Sequence, residues 1–478
     1  MGGNRQAIVV GGGITGLACA YWLKRAGIDV ALLEASDRPG GIVATCERNG
    51  FLFEAGPQCP RFSPRLWDLV REIGLDKGFV PGDRKAPRYI LKDERLRRVP
   101  FSPWGFLTTD LVGAGSKLRL LSEGLRWSKP PESEETLAHL VRRKFDGDVL
   151  DYLVDPFIST LLSGDAEKIG VESAFPFLKS WEEKYGSLLR GAILSRKGGS
   201  KSKVDKDANA RTAEKHDKNL VVTDALPPLG SFRQGLGALP NTLAEKLPDS
   251  LRLRAKVETL ERIETMGKQD FSWRIRLSDG EEIAAGSLIL AVPAFEAGRL
   301  LNQAAPETAA LLSQISYAPM VVVSCGYMRS QVRNPLEGFG FMIPRRENFN
   351  TFFCIWNSSV LTGRAPQGTV LVTSFAGGAS NPTFANQDSE TIVRTVERET
   401  GGILGIEGPP VERLLWNYQA ALPQFNVGHH EGVAQIRRTI GRTQGLYLAG
   451  NYFDGRSLGE CAESAFRTAE EVTRRGAV

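Results

Sequence analysis

The sequence has few of the residues that build metal centres or redox pairs. Its 478 residues include six cysteines and four histidines, and no two cysteines form a C-x-x-C pair. Zinc knuckles, thioredoxin-like pairs and iron–sulfur spacings therefore have no support. The histidines, including the adjacent His429 and His430, do not form the H-E-x-x-H spacing, so we expect no metal site. Scattered single cysteines are typical of a reducing compartment.

Long apolar runs and a large charge excess are also missing. No apolar run approaches the ~18 residues of a membrane span, and a strand is predicted so early that we expect no signal or transit peptide. Lys and Arg exceed Asp and Glu by 60 − 55 = +5, too little to indicate nucleic acid as a partner. With 42% hydrophobic residues, the length predicts roughly two or three domains. We expect a soluble cytoplasmic protein.

The first residues contain a glycine turn in a specific context. Residues 7–10 (AIVV) predict a buried parallel strand, which leads directly into GGGITG at residues 11–16. A helical pattern follows over residues 17–26, and a second apolar strand over residues 30–33 ends at Glu34. A dinucleotide fingerprint requires this order of strand, glycine turn, helix and strand. The context therefore predicts a bound dinucleotide.

Each residue type of the turn has a physical role in that prediction. Gly11 makes the tight turn, Gly13 lets a pyrophosphate approach the backbone, and Gly16 lets helix and strand pack closely. The helix N-terminus offers unpaired N–H groups and a positive dipole end to phosphates. Glu34 follows Gly16 by 18 residues, near the spacing expected for a carboxylate that binds ribose hydroxyls. The predicted contacts from this region are Gly11, Gly13, Ile14, Thr15, Gly16, Glu34 and Ala35.

Two further segments resemble the flavin amine oxidase and protoporphyrinogen oxidase superfamily. The first is DRPGG at residues 37–41; the second is an apolar strand over 445–450 followed by a glycine-rich turn and a helix from about 460 to 474. In that superfamily both segments lie against FAD, and backbone near the residue matching Val257 lies by the adenine. The resemblance adds these cofactor contacts: Arg38, Gly40, Gly41, Val257, Gly450, Asn451, Ser457 and Leu458.

The second segment also contains a misleading motif. Residues 455–459 (GRSLG) match the G-x-S-x-G nucleophile elbow of hydrolases. That elbow needs an acid and then a histidine later in the chain. The last histidine, His430, precedes Ser457, so we do not predict a serine hydrolase.

A closer resemblance runs along almost the whole chain. The segments, in order, are APRYIL at 86–91, SGD at 163–165, GSFRQGL at 230–236, GFGFMIP at 338–344, RAP at 364–366, GG at 377–378 and GNY at 450–452. Together they resemble the oxygen-dependent protoporphyrinogen/coproporphyrinogen oxidase family. The resemblance implies an α/β fold: a Rossmann-like FAD-binding domain interleaved with a mixed α+β substrate domain, and a helical lobe.

The resemblance also implies where each domain lies. Residues 1–80, 226–292 and 440–478 are assigned to the FAD domain, and residues 81–100 and 293–439 to the substrate domain. Residues 101–225 form the helical lobe, which the family links to membrane contact. Within it, residues 196–219 carry four more basic than acidic side chains and are predicted to be a flexible basic loop, with contact to anionic lipid headgroups as the alternative.

The reaction implied is oxidation of a porphyrinogen, protoporphyrinogen IX or coproporphyrinogen III, to the porphyrin in haem synthesis. FAD accepts hydride and dioxygen is reduced to hydrogen peroxide, so no catalytic acid or base is assigned. An apolar slot with a cation suits a macrocycle with carboxylate arms. The implied substrate contacts are Arg88, Ser163, Gly164, Ile355 and Leu371. The family often has a tryptophan before its Ala-x-Pro segment. This chain has Tyr418 there, and we assign Tyr418 no catalytic role.

Other readings stay open at this stage. A flavin amine oxidase or a carotenoid desaturase has the same fold, and a prenyl-protein escort of the GDP-dissociation-inhibitor kind shares it without redox chemistry. The Arg88 match and the GSFRQGL run disfavour an amine oxidase. Peripheral membrane contact, a hand-off of product to ferrochelatase and the oligomeric state are left open, as is the choice between the two porphyrinogens.

Overall fold

Two seven-stranded sheets organise the protein. The computed structural model describes residues 5–100, 102–198, 228–264, 271–453, 455 and 457–476. The strands of these ranges are β1 Arg5–Val10, β2 Val30–Leu33, β3 Thr45–Arg48, β4 Phe51–Glu54, β5 Phe79–Pro81, β6 Arg88–Lys92, β7 Arg95–Arg98, β8 Gly230–Phe232, β9 Leu251–Arg252, β10 Val257–Glu264, β11 Phe271–Leu277, β12 Glu282–Leu290, β13 Tyr317–Met328, β14 Gly340–Met342, β15 Thr351–Ile355, β16 Thr369–Gly377, β17 Glu412–Pro423 and β18 Leu446–Leu448.

Helices surround both sheets. In the described ranges they are α1 Ile14–Arg25, α2 Pro64–Glu72, α3 Pro103–Thr108, α4 Ala114–Glu123, α5 Leu137–Lys144, α6 Gly147–Val149, α7 Asp155–Leu162, α8 Val171–Ala174, α9 Pro176–Tyr185, α10 Leu188–Gly198, α11 Ala238–Glu245, α12 Ala294–Leu301, α13 Pro306–Ser313, α14 Asn357–Val360, α15 Ser389–Leu404, α16 His429–Gly441 and α17 Leu458–Gly476. A π-helical turn, Leu150–Val154, precedes α7. None of the described helices combines the length and the apolar character that crossing a membrane requires.

The first sheet is built around β1. Its order is β10-β11-β12-β1-β2-β9, and β18 pairs with the end of β12. Strands β18, β12, β1, β2 and β9 run parallel, with Val10 opposite both Leu290 and Leu33. Ile8 and Val9 are fully buried but pack in different hydrophobic clusters. The sheet is therefore covered on both faces, as its continuous apolar strands predict.

Some element boundaries differ from the predictions. Helix α1 begins at Ile14, not residue 17, because Gly13 has extended backbone and caps it. Strands β9 and β10 are separate, since the chain turns at Arg254 with φ +56°. Helix α17 begins at Leu458, two residues before the predicted start. Helix α10 includes residues 196–198 of the predicted loop, and residues 199–219 lie outside the described residues.

The second sheet has the order β17-β13-β16-β15-β14-β6-β7. Its pairs are antiparallel except for β14 with β6. Val321 and Val323 belong to the cluster that includes Ile392 and Val396 of α15, whereas Val322 between them belongs to a separate aromatic cluster on the opposite face. One face of this sheet is therefore closed by α15, and the other is available for a ligand slot.

The strands of each sheet come from separate parts of the chain. The first sheet draws its strands from residues 5–33, 251–290 and 446–448, and the second from residues 88–98 and 317–423. Helices α3 to α10 lie between these segments in residues 103–198. The mixed α/β fold is confirmed; the roles assigned to the segments stay a prediction.

Candidate cofactor and substrate site

The glycine turn between β1 and α1 has the geometry that its residue types predicted. Gly11 has φ +106°, and a Cβ there would stand 2.6 Å from the carbonyl oxygen of Ala291. A Cβ on Gly16 would stand 1.8 Å from the oxygen of Gly11. Around Gly13, by contrast, no atom lies within 4 Å of an added Cβ. Two glycines thus close the turn, and the third leaves space above the start of α1.

The segment from residue 38 to 41 folds back onto that turn. Gly40 donates its N–H to the oxygen of Gly12 at 2.8 Å and forms a parallel bridge with Gly13. Gly41 has φ +58°, and its Cβ position is 3.7 Å from the Cα of Gly13. Arg38 donates to the oxygen of Gly41 at 2.8 Å. The two glycine segments, 27 residues apart, therefore form one cradle.

Glu34 ties the end of β2 to the same cradle. Its Oε2 accepts the N–H of Gly12 at 2.6 Å. Its Oε1 accepts both the N–H and the hydroxyl of Ser36. A carboxylate has about four lone-pair positions, so Glu34 retains acceptor capacity for the ribose hydroxyls that its spacing predicts. Ala35 beside it is exposed.

The C-terminal segment reaches the cradle as well. Leu458 at the start of α17 shares a hydrophobic cluster with Ile14 of α1. Burial raises the pKa of Cys461 on α17 to about 11, against a smaller opposing hydrogen bond from Thr15. Upstream, Gly450 donates to the hydroxyl of Ser464. The first turn of α17 therefore lies beside the start of α1, and Gly450 lies beside Ser464 of the same helix.

Ser457 has a structural explanation. Its hydroxyl accepts the N–H of Glu460, and the Glu460 carboxylate accepts the N–H and hydroxyl of Ser457. This reciprocal pair is a capping box at the first turn of α17. The G-x-S-x-G match thus marks a helix start. Val257 is buried at the start of β10, and its carbonyl oxygen accepts from Arg299.

These residues fit a dinucleotide. The open volume over Gly13 and the unpaired N–H groups at the N-terminus of α1 suit a pyrophosphate. Glu34 lies at the end of the neighbouring parallel strand, where a ribose reaches it. The cradle would hold the pyrophosphate through Gly13, Ile14 and the segment containing Gly40 and Gly41.

An aromatic slot faces the second sheet. Phe353 of β15 stacks between Phe339 and Phe375, with ring centroids 6.5 and 5.6 Å away and interplanar angles of 27° and 28°. Ile355, one of the predicted substrate contacts, is buried in the same cluster. The other members include Val322, Met320, Phe352, Trp416, Tyr418 and, from the N-terminal segments, Cys59 and Val80. This cluster, called the slot below, therefore joins the second sheet to the segments that contain Cys59 and Val80.

Arg88 stands at this slot. It is the first residue of β6, half-buried, and its Cζ lies 4.5 Å from the centroid of the Phe339 ring. Burial lowers the pKa of Arg88, with a further contribution from the charge of Arg61. A guanidinium at an aromatic wall suits a planar apolar ligand with a carboxylate. The resemblance predicted Arg88 as a substrate contact, and that role stays a prediction.

Ser163 and Gly164 follow α7 in an unusual backbone conformation. Ser163 has φ +48° and is buried, and its carbonyl oxygen accepts the N–H of Ala379 at 2.7 Å. Gln424 donates to the oxygen of Leu162 at 3.1 Å. A Cβ on Gly164 would meet the Gln424 Oε1 at 3.3 Å. The lobe is thus joined at this point to the ends of β16 and β17.

Leu371 lies in a different cluster from Ile355. It is fully buried against Phe51 and Phe53 of β4. Along β16 it has the same side-chain direction as Phe375, because the residues are four positions apart. The N-terminal hairpin covers this end of the strand. The structure therefore brings Ile355 and Arg88 to the slot and places Leu371 beyond it.

Tyr418 connects the slot with the cofactor cradle. Its hydroxyl donates to the carbonyl oxygen of Ala55 at 3.1 Å. Burial raises the pKa of Tyr418, and the charge of Arg38 opposes that effect, so the ring lies near the loop that covers the glycine turn. Asn357 donates to Gln58 at 2.6 Å and makes a second connection. The aromatic slot and the cradle are adjacent.

Comparison with known proteins agrees with this geometry. The family of flavin containing amine oxidoreductases matches residues 14–473. The chain belongs to this family. It is 32% identical to protoporphyrinogen oxidase 1 of Arabidopsis thaliana chloroplasts, over 98% of this chain and 88% of that one. It is 24% identical to coproporphyrinogen III oxidase of Bacillus subtilis, over 96% of both chains.

A solved structure shows the same fold. A protein from Exiguobacterium sp. 255-15, provisionally named a protoporphyrinogen oxidase, superposes with a TM-score of 0.80 at 24% identity, covering 99% of this chain and all of that one. A dinucleotide fingerprint in a flavin-containing family identifies the cofactor as FAD. The protein is an FAD-dependent oxidoreductase, as predicted.

The sequence reasoning missed most of the slot. Phe353 and Phe375 come from two strands, and Phe339 directly precedes a third, β14. An aromatic residue in or beside a strand is more often part of a core. The alternation of Phe353 and Ile355 along β15 was the available signal, since both share one face. Nothing local showed that this face borders the cofactor cradle.

Proposed function

We propose that this protein oxidises a porphyrinogen, protoporphyrinogen IX or coproporphyrinogen III, to the porphyrin in haem synthesis, with dioxygen as the acceptor. The observation that carries the proposal is Arg88 beside the stacked rings of Phe339 and Phe353, in a slot adjacent to the cradle. That combination suits a large apolar macrocycle with carboxylate arms. Relatives named as oxidases of these two porphyrinogens support it.

The reaction needs orientation more than acid–base catalysis. Conversion of a porphyrinogen to a porphyrin removes six electrons and six protons, balanced by reduction of three dioxygen molecules to three of hydrogen peroxide. Bound FAD supplies the hydride acceptor. The protein's contribution is to hold the ring against it and exclude water. Arg88 orients a carboxylate, Ile355 and Phe353 contact the ring, and Ser163 with Gly164 closes the slot from the lobe.

The domain roles follow from these positions. Residues 1–80, 226–292 and 440–478 act as the FAD domain, and residues 81–100 and 293–439 as the substrate domain. The boundary near residue 225 lies outside the described residues. In this assignment Leu371 supports the slot from behind, because Phe51 and Phe53 cover it.

The helical lobe would contact a membrane from the cytoplasmic side. The segment from α4 to Trp127 exposes Leu118 (69%), Leu121, Leu125 (83%) and Trp127 (63%) to solvent. Arg119, Arg126 and Lys129 are exposed between and beside these side chains. Apolar side chains interleaved with cations suit an anionic lipid surface. The attachment would be peripheral, and a hand-off of the porphyrin to ferrochelatase belongs to the same proposal.

An amine oxidase is the alternative within this family. Its substrate carries a positive charge at neutral pH until it is deprotonated. Such a substrate would meet the guanidinium of Arg88 beside the Phe339 ring, and like charges repel. The slot therefore favours an anionic substrate.

The test is porphyrin fluorescence. The FAD-loaded protein would be given each reduced porphyrinogen in air, with hydrogen peroxide measured alongside. We expect fluorescence to rise faster than the autoxidation blank with at least one of them, and three molecules of peroxide per porphyrin. Putrescine should give no peroxide. No rise above the blank with either porphyrinogen would sink the proposal, and peroxide from amines would favour the alternative.

A further inference from the structure

Arg345 joins the loop after β14 to the start of α7 and to the segment that follows this helix. Its Nη2 donates to the Asp165 carboxylate at 2.7 Å and to the Asp155 carboxylate at 3.4 Å. Asp155 is the first residue of α7, and Asp165 comes directly after the bend at Ser163 and Gly164, called the lobe bend below. Because one nitrogen contacts both carboxylates, the start of α7 and the end of the lobe bend are held at a single point of the loop.

The two carboxylates are largely shielded from solvent. The side chains of Asp155 and Asp165 are 10% and 9% exposed. Burial raises the pKa of Asp155 and the charge of Asp165 adds to this effect, whereas Arg345 opposes it. Removal of one partner from a buried ion pair leaves a charge without compensation. Arg345 therefore stabilises the close approach of two carboxylates that otherwise repel each other.

The lobe bend has a backbone conformation that needs support from its surroundings. Ser163 is buried and has φ +48°, a conformation that is unfavourable outside glycine and persists only where the surrounding structure imposes it. The carbonyl oxygen of Ser163 accepts the N–H of Ala379 at 2.7 Å. The ion pair between Asp165 and Arg345 lies two residues further along the chain. These contacts together fix the course of the bend.

The lobe bend borders the slot. A Cβ on Gly378 would stand 3.0 Å from the carbonyl oxygen of Ser163 and 3.6 Å from Cε1 of Phe352, and Phe352 belongs to the slot cluster. Arg345 comes shortly after β14, and Phe339 of the slot directly precedes that strand. Arg345 thus connects the lobe bend with the strand beside Phe339.

We propose that Arg345 is a positioning residue for the substrate. By pairing with Asp155 and Asp165 it holds the lobe bend against the slot, and so sets the space in which the macrocycle binds. The inference rests on the proposed function and deepens it. Arg345 acts through Ser163 and Gly164 and does not itself need to contact the macrocycle. Its loss should affect binding of the macrocycle and leave FAD affinity unchanged, because other segments build the cradle.

The experiment compares Arg345→Gln and Arg345→Lys with the matched control Arg346→Gln, each as the FAD-loaded full chain. Arg346 also pairs with two carboxylates of the lobe, Asp148 and Asp151, but these precede α7. We expect Arg345→Gln to raise KM for the porphyrinogen about tenfold with kcat nearly unchanged, because binding is weakened equally in the ground state and the transition state. Arg345→Lys keeps the charge and should recover part of the loss, and Arg346→Gln should match the wild type.

Asp165→Asn tests whether Arg345 acts through this carboxylate, and it also keeps the test open if Arg345→Gln does not fold. Asp165→Asn should raise KM by a similar factor. The double variant with Arg345→Gln should be no worse than either single variant, since both changes remove the same interaction. Increases in KM that multiply in the double variant would show independent roles and would overturn the inference.

Hydrogen exchange at the amide of Ala379 gives a readout that does not depend on turnover. This amide donates to Ser163, so exchange should quicken about tenfold in Arg345→Gln, where the bend is released, and stay unchanged in Arg346→Gln. An unchanged KM, or an unchanged exchange rate at Ala379, in Arg345→Gln would overturn the inference alone. A wild type that oxidises neither porphyrinogen would overturn the proposed function, and the inference with it.

Discussion

Arg364 and Glu54 meet in the interior between the two sheets. The Nη1 of Arg364 lies 3.8 Å from the Oε1 of Glu54, and the two side chains are 1% and 2% exposed. Glu54 ends β4 and also accepts from the hydroxyl of Thr45 and the N–H of Leu236. Arg364 donates to the oxygen of Phe232. The pair thus joins the loop after α14 to the N-terminal hairpin, close to the slot.

Glu54 should make stability depend on pH. Burial raises its pKa from 4.5 to about 7, although its hydrogen bonds and Arg364 oppose this. The folded state then binds the proton of Glu54 more tightly than the unfolded state does. The stabilisation that this proton gives to the fold is complete below pH 4.5 and is lost as the pH rises through 7. At 1.36 kcal/mol per pKa unit it amounts to about 3 kcal/mol.

The check is urea unfolding of wild type and Glu54→Gln between pH 4.5 and 8. We expect wild type to lose stability relative to the variant as the pH rises. Glu47→Gln, on the exposed part of β3, serves as the control. A wild type that gains stability relative to Glu54→Gln over this range would contradict the assignment.

Gly13 and Gly16 should respond differently to alanine. Gly13 has φ −68° and open space around its Cβ position, so Gly13→Ala should fold with a stability change within about 1 kcal/mol. The methyl group would occupy the space over the start of α1, and FAD affinity should fall roughly tenfold or more. Gly16→Ala should fail to fold stably, because its Cβ would overlap the oxygen of Gly11. Thermal unfolding and flavin titration separate the two outcomes, and equal FAD affinity in Gly13→Ala would count against the cradle.

Glu34→Gln should weaken FAD binding about tenfold, which is 1.4 kcal/mol. The amide has a single acceptor oxygen, while Glu34 now accepts from Gly12 and from Ser36 with separate oxygens. Either the turn or the ribose then loses a partner. Flavin fluorescence titration of the apoprotein measures the change, with Glu47→Gln as the matched control. Equal affinity in both variants would mean that Glu34 does not reach the ribose.

A buried ion cluster should control the acid stability of the lobe. Glu182 on α9 accepts from Arg143 and Lys144 at 2.7 Å and from Ser128 at 2.6 Å. Burial alone would raise the pKa of Glu182, but these donors lower it to about 2. The stabilisation that the ionised Glu182 gives to the folded state is present above pH 4.5 and is lost as the pH falls toward 2.

Glu182→Gln should therefore cost about 3 kcal/mol at neutral pH, because it leaves Lys144 incompletely paired. That cost should shrink between pH 4.5 and 2. Tryptophan fluorescence during urea unfolding reports it, since Trp181 packs in the lobe core. Glu183→Gln, at the exposed neighbouring position, should behave as wild type. A cost that stays constant down to pH 2 would show that the charge of Glu182 is not responsible.

The lobe surface gives a prediction about membranes. Replacing Leu118, Leu125 and Trp127 together with serine removes exposed apolar area, and partition into vesicles with anionic headgroups should drop about tenfold or more. The matched control replaces Leu253 and Phe295, which are exposed on the cofactor side. Sedimentation with vesicles measures both. Equal partition of the two variants would exclude this surface as the contact.

The parts of the site that depend on local backbone geometry could be predicted from the sequence. The parts that depend on contacts between distant segments could not. Gly11 and Gly16 were predictable because a turn between strand and helix permits no Cβ there. Arg88 was predicted as a substrate contact through its surrounding segment; the structure places it over the ring of Phe339, and its role stays a prediction. Ile355 and Leu371, both predicted as substrate contacts, lie in separate clusters, because the hairpin containing Phe51 covers one end of β16. Their contact with a substrate stays a prediction. Which neighbours a strand residue meets is a tertiary property.

The sequence by itself determined the cradle, the order of its strands and the membership of a flavin family. The cradle arises from backbone conformation and short-range periodicity between residues 7 and 41, whereas the family membership rests on short segments spread along the chain. Only the tertiary structure decided the rest. The stack of Phe339, Phe353 and Phe375 assembles from two strands and from the residue just before a third. Side-chain direction in a strand follows from period two, but its surroundings follow from which sheets pack together.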